Sequence, residues 1–275
     1  MADKLGEGTH GSVWVLDDSR VEKRTKFVDR RNYGIYLSDG LLTELAALER
    51  IGNACCRHVV KALEWDTVGE TGPSFVSAIT LQRLAPLQNL DSDILRSGAR
   101  NYIKQILEAI HDLHSENIAH CDLKLDNVMY DAVEDELKLI DFGLAKMDSS
   151  VKPPDKALFT FDYRPPEALL MSNKIDLRKA DMWAIGVCVV SIMLGMGEHS
   201  IYYEKMHDLG WKGSLDVILR SLNATLPKIS SHSRYQVYVN SRAGKKEGWV
   251  NPGWLWNKVR AVAGDEGVKF IGRLL

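Results

Sequence analysis

Two short polar motifs, whose aspartates Asp122 and Asp141 lie 19 residues apart, constrain this chain more than any other feature. The first reads His-Cys-Asp-Leu-Lys-Leu-Asp-Asn at residues 120–127, and the second reads Asp-Phe-Gly at residues 141–143. A single Asp or Asn most often forms a turn or caps a helix. Turns and caps do not account for carboxylates, a cation and an amide in two neighbouring motifs, so the sequence predicts a functional site.

The four polar groups match the requirements of phosphoryl transfer. A carboxylate must accept or orient the proton of the attacking hydroxyl, which suits Asp122. A cation near the transferred phosphate offsets developing charge, which suits Lys124. An amide carbonyl and a carboxylate must hold magnesium against the phosphates, which suits Asn127 and Asp141.

The two motifs resemble the catalytic loop and the metal-binding loop of eukaryotic-type protein kinases. A glycine-rich motif, Gly-Glu-Gly-Thr-His-Gly-Ser-Val at residues 6–13, extends the resemblance. Glycines let backbone amides approach phosphates. Dinucleotide-binding folds share this motif, but they need a strand before the glycines and a helix after them. Here only five residues precede Gly6, and residues 12–16 predict a strand, which is the kinase arrangement.

The next predicted strand, at residues 21–27, should carry the phosphate-binding lysine, for which Lys23 and Lys26 compete. Side chains alternate along a strand, so these two point in opposite directions. The kinase pattern places a small apolar residue two positions before the lysine, on the nucleotide face. Val21 fills that position for Lys23, whereas Arg24 does not suit it for Lys26. We therefore predict Lys23, and a solvated Lys26.

Residues 41–50 predict a helix whose buried face is marked by leucines at i, i+4 and i+7, namely Leu41, Leu45 and Leu48. Glu44 lies on or beside this face, and a carboxylate that faces inward needs a partner. Lys23 is the natural partner, because kinases pair a lysine and a glutamate at these positions. Glu49 is the alternative if the helix register slips by one position.

The resemblance assigns residues to three parts of the site. The catalytic groups are Asp122 and Lys124, and the metal ligands are Asn127 and Asp141. The nucleotide-binding residues are Leu5, Gly6, Gly8, Gly11, Val13, Val21, Lys23, Glu44 and Met129. The implied cofactors are ATP and Mg²⁺.

The resemblance implies an α+β, bilobal protein-kinase-like fold. A small β-rich N-lobe at residues 1–83 would hold the glycine-rich loop and the regulatory helix. A larger α-helical C-lobe at residues 84–275 would hold the catalytic loop and the activation segment. A strand at 75–81 would lead to a hinge near 82–84, and helices are predicted at 102–114 and from Asp181 onward. Because typical kinases continue for two more helices, the C-terminus is expected to be truncated, as a fragment or a minimal viral kinase.

Residues 160–167, Thr-Phe-Asp-Tyr-Arg-Pro-Pro-Glu, resemble the end of a kinase activation segment. Thr160 together with Lys124 is the serine/threonine pattern, and Tyr-Arg-x-Pro-Glu is typical of the cyclin-dependent and mitogen-activated branch. Arg164 in this context implies a preference for proline after the phosphoacceptor. Asp162 replaces a large aromatic residue of that branch, so a basic residue is the alternative preference.

Two departures from the family pattern matter. Cys121 replaces the usual arginine before the catalytic aspartate, and it cannot pair with a phosphate on the activation segment. We therefore expect activity without phosphorylation of that segment, where Asp155 either stands in for phosphate or is an ordinary loop residue. The arginine that pairs with Glu167 in kinases belongs to the missing C-terminal helices, so Glu167 is expected to lack that partner.

Composition excludes some classes of function. The net charge of −2 gives no indication of a nucleic-acid partner. The chain has four cysteines, of which two are adjacent and one lies in the catalytic loop. This arrangement favours a reducing compartment. We expect an intracellular protein, cytoplasmic or nuclear, in the host cell if it is viral. The longest apolar run, residues 182–197, is shorter than the about 20 residues of a membrane span and predicts a buried helix.

We predict an ATP-dependent serine/threonine protein kinase that acts on protein hydroxyls. The prediction allows for a regulatory protein as a further partner and includes neither a nucleic-acid nor a membrane partner. A pseudokinase scaffold is one alternative, but such proteins usually lack Lys23, Asp122 or Asp141. A small-molecule hydroxyl kinase shares His-x-Asp-x-x-x-x-Asn but not Lys124 with Tyr-Arg-Pro-Pro-Glu. A non-enzymatic interaction module would not need the whole constellation.

Overall fold

The structure, a computed structural model, describes residues 3–7, 11–25, 27–30, 34–37, 40–54, 56–68, 75–147, 151–152, 158–170, 175–196, 200–202, 209–222, 233, 236–237, 240 and 253–275. These residues form two compact units. The first comprises Met1–Leu87, Lys104–Asp122 and Asp126–Asp148. The second comprises Gln88–Ile103, Leu123–Leu125 and Ser149–Leu275. The division at residue 83 stays a prediction.

The first unit is built on an antiparallel five-stranded sheet in the order β1-β2-β3-β7-β6. Its strands are β1 (Lys4–Glu7), β2 (Gly11–Val15), β3 (Arg20–Thr25), β6 (Ala62–Val68) and β7 (Phe75–Gln82). In β3 the side chains of Val21, Lys23 and Thr25 are buried while Arg24 is exposed, as strand alternation requires. A separate hairpin pairs β4 (Phe27–Arg30) with β5 (Gly34–Leu37). The strand predicted through residue 27 therefore ends at Thr25, since Phe27 pairs with Leu37 instead.

Helix α1 (Gly40–Asn53) packs against β7. The three leucines predicted for its buried face, Leu41, Leu45 and Leu48, are all buried. Glu44 shares their face and is fully buried, whereas Glu49 is exposed. The helix register therefore follows the apolar spacing, and the alternative register through Glu49 is wrong.

A three-stranded sheet, in the order β11-β10-β8, completes the first unit. Its strands are β8 (Ala85–Pro86), β10 (Val128–Asp131) and β11 (Glu136–Leu139). A short pair joins β9 (Ile118–Ala119) to β12 (Lys146–Met147). These strands bracket the two polar motifs, because β9 ends just before His120, β10 follows Asn127 and β11 ends two residues before Asp141.

Helix α2 (Ser92–Ser115) begins ten residues before the predicted start at 102. Its first turn is capped by Asp91, whose carboxylate accepts a hydrogen bond from the Asp93 backbone N–H at 2.7 Å. Leu95 and Ala99, both buried, continue the apolar spacing back from Tyr102 at i−7 and i−3, so the prediction missed a signal that the early turns carry.

The second unit is helical, with a two-stranded ladder of β13 (Val151–Lys152) and β14 (Ile175–Asp176). Its helices are α3 (Pro166–Leu169), α4 (Leu177–Met193), α5 (Gly210–Leu222) and α6 (Trp254–Leu274). Helix α4 is buried along most of its length, as predicted for the apolar run. It begins before Asp181, because Asp176 caps it by accepting a hydrogen bond from the Lys179 backbone N–H.

Helix α6 packs against both α4 and α5. The Trp254 and Tyr202 rings meet edge to face at 6.4 Å, and Trp256 Nε1 donates to the Leu222 carbonyl at 2.8 Å. These two tryptophans therefore serve local packing, and Trp249 lies outside the described residues. The antiparallel sheet and the helical C-terminal region agree with the predicted α+β fold class. No helix among the described residues has both the length and the apolarity to cross a bilayer.

Candidate active site

Lys23 lies at the centre of a buried ion-pair cluster in the first unit. Its Nζ donates to Glu44 Oε2 at 2.6 Å and to Asp141 Oδ1 at 2.7 Å. The lysine side chain is about one-tenth exposed, and that of Asp141 is one-third exposed. Strand β3, helix α1 and the Asp-Phe-Gly motif thus meet at one ammonium group.

The electrostatics of this cluster favour the charged lysine. Burial acts to lower the pKa of Lys23, but the carboxylates of Glu44 and Asp141 outweigh burial and raise the pKa above its ordinary value. Burial raises the pKa of the Glu44 carboxyl, and the Lys23 ammonium opposes that shift. The ammonium therefore persists at neutral pH and can face a further anion.

The strand register places the other predicted nucleotide-binding residues of β2 and β3 beside Lys23. Val13 is directly opposite Lys23 in the antiparallel ladder, so the two share a face of the sheet. Val21 lies two positions before Lys23 and shares that face as well. Lys26, the competing lysine, lies outside the described residues.

The glycine-rich segment is described at both of its ends. Gly6 pairs with Val13, and Leu5 beside it is exposed. A Cβ on Gly11 would lie 2.3 Å from the Arg24 carbonyl oxygen, so glycine is required there by strand packing. At Gly6 a Cβ would meet nothing within 4 Å. Gly8 lies outside the described residues.

Asp122 and Asn127 lie in one tight turn. Asn127 Nδ2 donates to the Asp122 carbonyl at 2.8 Å and lies 3.4 Å from Asp122 Oδ2. Both side chains are buried. Between His120 and Asp122 the backbone of Cys121 is left-handed, with φ 65°, and its side chain is fully buried. The left-handed residue turns the chain sharply where the Asp122 side chain begins.

Asn127 and Asp141 emerge at the same end of the β10–β11 hairpin. The Ile140 backbone N–H donates to the Asn127 carbonyl at 3.0 Å, which extends the ladder by one step beyond Val128 and Leu139. Asp141 follows at once, also left-handed with φ 62°. Met129, on β10, is half-buried and pairs with Pro86 of β8.

His120 links the two motifs, a function that the sequence did not indicate. Its Nε2 lies 3.0 Å from the Ile140 carbonyl oxygen, and its ring lies 4.8 Å from the Phe142 ring. The histidine is fully buried. The sequence signal was its place in the first motif, but nothing local revealed which residues it would contact.

Lys124 belongs to the second unit, together with Leu123 and Leu125. The Leu125 backbone N–H donates to the Tyr163 hydroxyl at 3.2 Å. This bond ties the middle of the catalytic-loop motif to the segment predicted to end the activation segment.

The segment before that tyrosine has an unusual backbone. Phe159 is left-handed, with φ 64°, and its carbonyl accepts a hydrogen bond from Arg164 Nε at 2.8 Å. Asp162 Oδ2 accepts a hydrogen bond from the Ser200 hydroxyl at 2.6 Å. A phenylalanine gives no sequence signal for positive φ, so this feature was not predicted.

Glu167 is largely enclosed. Burial raises the pKa of its carboxyl, and nearby Asp176 acts in the same direction while Lys179 opposes it. Within the described part of the chain no arginine forms an ion pair with Glu167, and its lack of the family partner stays a prediction.

Comparison with known sequences places this geometry in a family. The family described as protein kinase domain matches residues 1–235. The chain therefore belongs to the protein kinase family.

Individual relatives are similar at modest identity. Serine/threonine-protein kinase dkf-2 of Caenorhabditis briggsae is 26% identical over 284 residues, which cover 97% of this chain and 23% of the relative. Cyclin-dependent kinase F-4 of Oryza sativa subsp. japonica is 28% identical over 194 residues, which cover 70% of this chain and 41% of the relative. Probable cyclin-dependent kinase 10 of Dictyostelium discoideum is 30% identical over 202 residues, which cover 70% of this chain and 53% of the relative. The chain thus spans less than two thirds of the length of each of these relatives.

Proposed function

We propose that the chain transfers the γ-phosphate of ATP to serine or threonine hydroxyls of proteins. The observation that carries this proposal is the contact of Lys23 with both Glu44 and Asp141. An ammonium held by two carboxylates and kept charged is suited to bind phosphate oxygens beside a metal-binding aspartate. The names of the relatives, which are serine/threonine kinases, support the same activity.

The donor atoms of the site fit ATP with magnesium. Magnesium prefers oxygen ligands and is usually held by one or two protein groups together with substrate phosphates. The Asn127 amide and the Asp141 carboxylate supply two such oxygens, and the bond from Asn127 Nδ2 to Asp122 directs the amide oxygen away from that carbonyl. Among the described residues no cluster of three or more His, Cys, Asp or Glu side chains suits a metal ion.

Each residue then has a defined task. Asp122 orients the attacking hydroxyl and accepts its proton, and Lys124 offsets charge on the transferred group. Lys23 holds phosphate oxygens, while Glu44 fixes the lysine in place. Leu5, Val13, Val21 and Met129 provide the apolar contacts for the base, with Gly6, Gly8 and Gly11 near the phosphates. Bound magnesium supplies charge neutralisation of the phosphates.

The pseudokinase alternative is weakened by the intact cluster, because Lys23 already occupies the position that nucleotide binding requires. A small-molecule kinase remains the second candidate. Two relatives have names that state cyclin dependence, so a regulatory protein partner belongs to the proposal.

The direct test is a radiolabelled-ATP assay on a serine/threonine peptide library, with the Asp122→Asn chain as the matched negative control. Label on peptides that disappears with the variant supports the proposal. Label on small alcohols but on no peptide would assign the second candidate, and no label on either would contradict both.

A first prediction concerns the two competing lysines. Lys23→Met should lower kcat/KM for ATP by about 100-fold or more, because it removes the cation between the buried Glu44 carboxylate and the partly exposed Asp141 carboxylate. Lys26→Met, the matched control, should stay within about twofold, since the sequence pattern predicts a solvated surface cation at this position. Steady-state kinetics on both variants decide the matter, and a reversed result would show that the strand register is misassigned.

A second prediction concerns the residue after the phosphoacceptor. The Phe159 carbonyl is turned toward Arg164 and is therefore not offered to a substrate backbone N–H. An unsatisfied N–H costs about 1–3 kcal/mol, and proline carries no N–H. We expect peptides with Ser-Pro or Thr-Pro to be preferred over alanine peptides by on the order of tenfold in kcat/KM.

The same peptide library tests the alternative preference, in which Asp162 selects a basic residue after the phosphoacceptor. Asp162→Asn should leave the proline preference intact, because the Phe159–Arg164 contact does not involve it. Enrichment of lysine or arginine in place of proline, abolished by Asp162→Asn, would assign specificity to the carboxylate instead.

A further inference from the structure

A second charged cluster lies along the β10–β11 hairpin, where Asp131 and Glu136 pair at the turn and Lys138 pairs with Met129 nearer to Asp141. Lys138 Nζ, on a side chain only 5% exposed, donates to the Arg57 carbonyl at 3.1 Å and to Glu136 Oε2 at 3.3 Å. Asp131 Oδ2 lies 3.8 Å from the same ammonium and accepts a hydrogen bond from Gln82 Nε2 at 2.5 Å. All these residues belong to the first unit.

The Arg57 end of the cluster belongs to the segment that follows helix α1. This post-helix segment, residues 56–60, runs beside β11. The Leu139 backbone N–H donates to the His58 carbonyl, and the Val60 N–H donates to the Leu139 carbonyl, each at 3.0 Å. The two bonds at Leu139 attach the post-helix segment to β11 at one point. The bond from Lys138 to the Arg57 carbonyl attaches it at a second point, which fixes the angle between the segment and the strand.

These contacts connect the post-helix segment to the nucleotide site along two routes, one through helix α1 and one through β11. Helix α1 carries Glu44 to Lys23, and Lys23 contacts Asp141. Asp141 lies two residues beyond Leu139, and Leu139 and Lys138 hold the post-helix segment, which follows α1. Loss of the Lys138 contact is therefore expected to change the distance that the Lys23 ammonium spans between the two carboxylates.

The cost of burying charge supports a specific role for the cluster. Buried ion pairs contribute little net stability, since desolvation offsets their attraction, so stability alone does not explain three enclosed charges. Burial acts to raise the pKa of Glu136, but hydrogen bonds from Arg57 and Lys138 outweigh it and lower the pKa. The shift favours the charged form of Glu136, whose carboxylate lies beside the Lys138 ammonium.

We infer that Lys138 is a positioning residue for the nucleotide site, which acts by fixing the post-helix segment, and through it Glu44, relative to Asp141. This inference rests on the proposed kinase function. Lys138 does not touch the reacting groups, so its effect passes through the placement of Lys23 between Glu44 and Asp141.

The experiment compares purified variants in steady-state assays with varied ATP and saturating peptide, at a temperature where thermal unfolding shows each to be folded. Lys138→Met should lower kcat/KM for ATP by about tenfold, because sub-ångström to ångström displacements at a site have effects of this size or larger. Lys138→Arg keeps the charge and a donor and should restore activity to within about threefold of the unsubstituted chain. Lys61→Met is the matched control, because Lys61 is exposed and lines the same surface cavity as Arg57 and Lys138, and it should remain within about twofold.

A double-mutant cycle separates positioning from a general structural role. In a Glu44→Gln background Lys138→Met should have little further effect on kcat/KM for ATP, because both act through the same contact. Independent, multiplicative losses would overturn the inference. So would unchanged kinetics of Lys138→Met, or a gain in activity, which would make the cluster a restraint.

Two further arms keep the outcomes distinct. If Lys138→Met does not fold, Lys138→Gln, which removes the charge and shortens the side chain but keeps an N–H donor, should still lower kcat/KM for ATP by about threefold, whereas no change would overturn the inference. If the unsubstituted chain phosphorylates no peptide although it binds ATP, the proposed function fails. A titration of ATP binding then tests the positioning role of Lys138 by itself. An unchanged Kd for ATP in Lys138→Met would overturn that role, and a raised Kd would support it.

Discussion

Asp122→Asn should keep the fold and ATP binding but lower kcat by about 10²–10⁴-fold, the usual contribution of a general base. The amide retains the size of the side chain and leaves the bond from Asn127 Nδ2 to the Asp122 backbone carbonyl in place. It cannot accept a proton from the substrate hydroxyl. The measurement is single-turnover phosphorylation of a peptide together with the Kd for ATP.

Asp126→Asn is the matched control, since it makes the same chemical change at an exposed position of the same loop. It should leave kcat within about twofold of the unsubstituted chain. A near-normal rate for Asp122→Asn on peptide substrates would show that another group accepts the proton.

Asp141→Asn should remove both turnover and the magnesium-dependent part of ATP binding. Two unit charges 4 Å apart near a protein surface attract by about 4 kcal/mol, and a divalent ion loses at least this much when the carboxylate becomes an amide. We therefore expect binding to weaken by about 100-fold or more in the presence of magnesium. Nucleotide titrations with magnesium and with a chelator measure this difference directly.

Asp66→Asn, exposed on β6 of the same unit, controls for a general loss of one negative charge. It should bind ATP as the unsubstituted chain does. Equal magnesium dependence in the Asp141→Asn and Asp66→Asn variants would mean that Asp141 is not a metal ligand.

Local periodicity explains which parts of the structure could be predicted. Strand alternation and helical spacing each fix which side chains face inward, but the pairing of Lys23 with Glu44 was predicted through the resemblance to kinases. Helical spacing placed the leucines of α1, and an uninterrupted apolar run indicated the buried helix α4. The contact between Lys23 and Asp141 joins residues 118 positions apart, and no periodic pattern reports such a distance.

Other features lie beyond sequence patterns for physical reasons. The first turns of α2 place only Leu95 and Ala99 on the buried face among mainly polar residues, and this sparse spacing was missed together with the capped start. Asp131, Glu136 and Lys138 have the composition of a solvated hairpin, yet all three are buried. Their burial depends on residues 56–60 and on Gln82, which approach them only in the folded chain.

The left-handed backbone at Cys121 and Phe159 has a consequence for heat inactivation. A non-glycine residue in this region costs about 1–2 kcal/mol. Surrounding packing offsets this cost at these two turns, together with hydrogen bonds such as the one from Cys121 Sγ to the Ala119 carbonyl and the one from Arg164 Nε to the Phe159 carbonyl. As the temperature rises, both should relax before the helices and the sheet unfold, since loops at functional sites belong to the least stable parts of proteins. Catalysis should therefore disappear while most of the secondary structure is still intact.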